Sequence, residues 1–103
     1  MLPLLQPLAS TTVYALNMSE SMYKYKWYLR NQFIDEFIKM ENYILSANLH
    51  GIPQQEINNT LATSGIMDKL GKMGAEYLSL MSKEEIDAWR NSTTDGILPI
   101  PKP

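Results

Sequence analysis

The chain of 103 residues contains no cysteine. Disulfides, thiolate nucleophiles and thiolate metal sites are therefore excluded, although compartment is left open. Charge is also sparse: charged residues make up 19 % of the sequence and the net charge is −2. The chain as a whole exerts no electrostatic pull on nucleic acid or an anionic membrane. No run approaches the ~20 apolar residues that a membrane helix needs. The one histidine, His50, has no triad partner that the sequence identifies. It precedes Gly51, where a histidine is a favourable helix cap. Asp35, Glu36 and Glu41 diverge around a helix, while Glu84, Glu85 and Asp87 suit the start of one. Calcium-loop, phosphate-loop, dinucleotide and nucleophile-elbow motifs are missing. These absences point away from catalysis and from any cofactor, metal or small-molecule substrate.

Hydrophobic residues make up 45 % of the chain, an ordinary share for one small globular domain with a modest core. The opening MLPLLQPLASTTVYA is apolar, but it has no basic leading segment, and Pro3 and Pro7 interrupt it. It reads as an arm and not as a signal peptide, which favours a cytoplasmic protein or part of a virion-like assembly. Asn17, Asn58 and Asn91 begin glycosylation-type triplets. Without a secretion signal these are chance matches.

The pattern predicts an all-α fold, a small helical bundle built on one long helix. Residues 1–18 form an extended N-terminal arm, because two prolines favour extended geometry. Residues 19–93 form the helical domain. Ser19 is the expected N-cap of a helix that runs to Leu49, where Gly51 and Pro53 stop it. Pro53 opens a second helix over 54–62, and Ser64-Gly65 closes it. A third runs from Ile66 to about Met81. Ser82-Lys83-Glu84-Glu85 has capping-box spacing and starts a fourth that ends near Asn91. Asp95-Gly96 marks a turn. Residues 94–103 form a proline-rich extended tail.

On a helical wheel the long helix carries two apolar lanes. Met22, Tyr25, Leu29, Phe33, Phe37, Met40, Ile44 and Ala47 form the first. Trp27, Ile34, Ile38, Leu45 and Leu49 form the second, about 140° away. A chain this small has few elements with which to cover both, so the second lane is expected to meet a partner. The spacing does not decide which lane faces inward.

The stretch Met22–Phe33 holds aromatics and basic residues together, as a nucleic-acid surface would. The wheel disperses them: Tyr25 lies in the first lane, Trp27 in the second, and Tyr28 on the polar side. Only Lys26 and Arg30 are neighbours. Gly71-Lys72-Met73-Gly74 matches the phosphate-clamping GxxG loop of a KH domain, but the sheet of that domain has no counterpart here. Two glycines in one helical turn call for the close approach of another backbone or for a break in the helix. Seven methionines suit both core filling and adaptable contact surfaces.

The expected function is that of a non-enzymatic helical assembly subunit, a virion, filament or scaffold component working through protein–protein contacts. Its partner-binding residues are Trp27, Ile34, Ile38, Leu45 and Leu49, with Ile97, Leu98 and Ile100 of the tail. Deleting the tail is expected to weaken association while leaving stability intact. The alternatives are a small regulatory or inhibitory protein that binds one target, and a helical nucleic-acid-binding module using Lys26, Arg30, Lys69 and Lys72.

Overall fold

A computed structural model describes residues 2–92 and 96–103, with side chains from Ser19 onward. Four helices follow in chain order: α1 (Leu2–Leu49), α2 (Gln54–Ser64), α3 (Ile66–Ser79) and α4 (Lys83–Arg90). The described residues hold no strand, so the fold is all-α as the apolar periodicity requires. One boundary differs from the sequence reading. The α1 backbone is helical back to Leu2, so the N-terminal arm continues the long helix and is not extended, and Ser19 lies mid-helix. Pro3 fits because the first turn of a helix leaves its N–H groups without intrahelical partners. Pro7 costs the helix one hydrogen bond. The Asp95-Gly96 turn falls partly outside the described residues.

The helix ends follow local chemistry. Gly51 adopts φ 72°, and the Ile52 N–H reaches the Ala47 carbonyl at 3.0 Å, which terminates α1 in a Schellman turn. His50 Nδ1 donates to the Ser46 carbonyl at 2.7 Å, the cap role its position suggested. Gly65, with φ 75°, takes the left-handed geometry that lets α3 follow α2 directly. Ser82 and Glu85 form the capping box at the start of α4.

The molecule measures 76 × 29 × 17 Å. A helix of the length of α1 accounts for the long dimension at about 1.5 Å per residue. The shorter elements cannot cover so long a rod, and they gather along its C-terminal portion. The first lane faces them. Phe33 is buried with Leu70 and Tyr77 of α3 and Leu98 of the tail, and Leu29, Phe37, Met40, Ile66, Met73 and Met81 pack around this cluster. The α3 stripe therefore meets the first lane of α1 directly. α2 packs more lightly on both α1 and α3, and its Ile57 is fully buried.

The helix glycines find a different explanation from the expected one. α3 runs unbroken through both. A Cβ at Gly74 would come within 3.3 Å of the Phe33 ring, so the close approach is by an aromatic ring and not by a backbone. Nothing lies within 4 Å of the corresponding position at Gly71, and no contact explains that residue.

Candidate protein-binding surface

The second lane is where this fold runs out of cover. Trp27 and Ile34, toward its N-terminal end, are half-buried. Farther along, Ile38 is 47 % exposed, Leu45 60 % and Leu49 78 %. α2 and α3 lie on the other side of α1, and no described element covers this face. The result is a row of branched apolar side chains in solvent along one face of a rigid helix, which is costly for an isolated molecule.

The tail borders this row at the Trp27 end, and Arg30 is the link. Its guanidinium lies 5.7 Å from the centre of the Trp27 ring, and Tyr23 meets that ring edge-on. The same guanidinium reaches the Leu98 carbonyl through Nε and Nη2, each at 3.4 Å. Ile97 and Ile100, on either side of the buried Leu98 and Pro99, are 42 % and 60 % exposed. Both remain on the outside, and Ile100 lines a cleft together with Arg30 and Trp89.

Leu98 goes the other way. It is buried in the chain's own core with Phe33, Leu70 and Tyr77, and so is not available to a partner. Pro99 and Pro101 are buried as well. The alternation along the tail, outward at Ile97 and Ile100 and inward at Leu98, was not readable from ILPIPKP alone. It depends on four polar contacts from distant elements. Trp89 Nε1 donates to the Gly96 carbonyl at 2.9 Å. Arg30 holds the Leu98 carbonyl. The Tyr77 hydroxyl donates to the Pro99 carbonyl at 2.5 Å. The Lys102 N–H donates to Glu85 Oε2 at 2.9 Å.

Glu85 is the centre of this arrangement. It is only 2 % exposed. Its Oε1 accepts from the Ser82 N–H at 2.8 Å and from Lys26 Nζ at 2.9 Å. One carboxylate thus closes the α4 cap, fastens α4 to α1 and holds the tail. Burial alone would push its pKa up. The hydrogen bonds from the Ser82 backbone, Lys26 and the Lys102 backbone outweigh burial and bring it down to about 2. Burial pushes the Tyr77 hydroxyl up to about 12, which keeps it a neutral donor. The capping-box spacing made Glu85 legible as a local residue. The placement of Lys26 between the two lanes was the only hint that a partner for it would come from another helix.

These contacts also bear on the basic residues considered for nucleic acid. The Lys26 side chain is in a largely buried ion pair, Arg30 is occupied by Trp27 and the tail, and Lys69 pairs with Glu36 across α1 and α3 at 3.3 Å. They do not converge on one open surface. Hydrogen bonds from Lys69 and Lys39 hold the Glu36 carboxyl below its ordinary pKa.

An open cleft of about 410 Å³ lies between α4 and the tail, with Arg30, Trp89, Leu98, Ile100 and Lys102 among its walls. Its polar walls are largely the groups that grip the tail. Among the described residues, no group of three or more acidic or histidine side chains could hold a metal ion, and no helix is long and apolar enough to cross a membrane. Comparison with known proteins finds no family model, no curated protein and no solved structure that matches this chain.

Proposed function

We propose that this protein is a non-enzymatic helical assembly subunit, acting through protein–protein contacts made by the outer lane of α1 and the outward side chains of its tail. The observation that carries the reading is the exposed row Ile38, Leu45 and Leu49 on a helix whose first lane packs into the core at Leu29, Phe33, Phe37 and Met40, while Met22 and Tyr25 at its N-terminal end stay exposed. Interface centres favour apolar and aromatic residues with few charges, which is the composition of this lane. A rigid helix presents them in fixed register and loses little entropy on docking. A subunit of a virion, filament or scaffold is the kind of object that needs such a surface and no catalytic site. Trp27 and Ile34 lie at the edge of the contact, and Ile97 and Ile100 border it.

The test is the solution mass of the purified chain, measured by size exclusion with light scattering over a range of concentrations. A dimer or larger species that grows with concentration is expected. A chain that stays monomeric at high concentration overturns self-assembly and turns the search to a single foreign target for the same surface.

A further inference from the structure

Resting on that reading, we infer that the occupant of the outer lane is the same lane of a second copy, running antiparallel about a two-fold axis at the level of Glu36. The inference comes from the order of residues along the exposed face. Ile34 and Ile38 are equidistant from Glu36 along the chain, and so are Trp27 and Leu45, and Tyr23 and Leu49. An antiparallel copy centred there sets Ile34 against Ile38, Trp27 against Leu45 and Tyr23 against Leu49, with every pair made twice. This is the self-complementarity that a two-fold interface demands. The half-buried members of each pair lie mostly toward the N-terminal end and the open members toward the C-terminal end, so each lane offers the other what it lacks.

Charge follows the same order. On α1 from Ser19 to Gln32 the basic Lys24, Lys26 and Arg30 outnumber Glu20, while from Phe33 to Leu49 the acidic Asp35, Glu36 and Glu41 outnumber Lys39. Lys24, Lys26, Lys39 and Glu36 are already paired within the chain, so what an antiparallel pair brings together is Arg30 of one helix and Glu41 of the other, whereas a parallel pair sets like beside like. Glu41 makes no ion pair with any described residue, and in this register it comes level, to within one residue, with Arg30 of the second copy on the same flank; that guanidinium already touches Trp27 and the Leu98 carbonyl but has no carboxylate partner among the described residues. The register has one unfavourable pair: Asp35 faces its own counterpart near the axis. The contact runs from Tyr23 to Leu49, about 40 Å of helix at about 1.5 Å per residue.

The absence of cysteine makes the register directly readable. Asn31 and Glu41 are exposed and equidistant from Glu36, so the pairing sets them opposite each other. Asn31→Cys and Glu41→Cys variants, one carrying a mass tag, are mixed and gently oxidised, and the untagged wild type is weighed in parallel by light scattering. A mixed disulfide at least about tenfold above either same-variant product is expected, since only antiparallel copies bring the two thiols within bonding reach. A Glu41→Cys product linked to itself means a parallel pair and overturns the inference. So does the absence of any cross-link in a chain that light scattering shows to be dimeric, and in both cases the assembly reading survives. A wild type that stays monomeric at high concentration overturns the register and the assembly reading together. As an independent reading of the axis, Asp35→Asn is expected to tighten the dimer severalfold, and a weaker dimer contradicts the placement of Asp35 beside its counterpart.

Discussion

The tail, residues 96–103, and the outer lane of α1 are both apolar, yet the first is drawn into the fold and the second is left outside it. Hydrophobicity does not separate them. The difference lies in the backbone. The irregular tail has carbonyl and N–H groups with no partners of their own, and burying them unpaired would cost more than the side chains return. Trp89, Arg30, Tyr77 and Glu85 supply the partners, one for each of Gly96, Leu98, Pro99 and Lys102, and this lets Leu98, Pro99 and Pro101 go inside. A helix satisfies its own backbone. Nothing polar pulls on the outer lane, and only another apolar surface can cover it, which the described chain does not provide.

Four measurements test the difference between tail and lane, in descending order of size. Deleting residues 97–103 removes Leu98 from the core cluster and takes away the acceptors or donors that Arg30, Tyr77 and Glu85 use. The loss of a buried leucine alone costs about 2–5 kcal/mol, so a large fall in melting temperature is expected. This reverses the outcome expected from sequence, which treated the tail as an external tether. An unchanged melt would mean that the tail is not part of the fold.

Next is Glu85→Ala. It breaks the α4 cap, frees the Lys102 N–H and strands Lys26 in a largely buried position. Loss of one partner of a buried charged pair costs about 3–5 kcal/mol. Chemical denaturation of the variant measures it, and a change within ordinary surface limits would contradict the central place given to this carboxylate.

Acid probes the same group without mutation. The folded pKa of Glu85 lies below its ordinary 4.5, at about 2. Its contribution is therefore fully present above pH 4.5 and is lost as pH falls toward 2, because the unfolded chain takes up the proton first. The loss is on the order of 3 kcal/mol. Stability measured from pH 5 to pH 2 should fall, and the fall should be much smaller in Glu85→Gln.

The smallest effect is that of Tyr77→Phe, which keeps the ring and removes only the hydrogen bond to Pro99. About 1 kcal/mol is expected, or about 4–8 °C in melting temperature for a domain of this size. A larger loss would mean that the tail detaches as a unit when one contact is cut.

Much of the fold was legible because it is written in local signals. The apolar period, Gly51, Pro53, Gly65 and the Ser82–Glu85 box gave four helices in the right order. The two lanes were legible too, but which of them faced inward was not. That choice depends on α3, whose Gly74 accepts the Phe33 ring and whose Leu70 and Tyr77 fit the first lane. Pro3 and Pro7 suggested an extended arm, and helix continuity from α1 overrode them. The role of Leu98 was illegible, because it is set by Arg30, Tyr77 and Glu85, far away in sequence. Of the residues expected to meet a partner, Ile38, Leu45, Leu49, Ile97 and Ile100 are exposed, Trp27 and Ile34 are partly covered, and Leu98 is core.

The inner lane of α1 builds the core, and the outer lane is proposed to hold a partner. The double variant Ile38→Glu with Leu45→Glu, weighed by light scattering and examined by circular dichroism beside the wild type, separates the two roles. The expected result is a wild type heavier than one chain, a variant that weighs as one chain, and a helical signal that is retained. A variant that loses its helix would show that the outer lane is part of the core, and one that keeps the wild-type mass would show that the contact lies elsewhere.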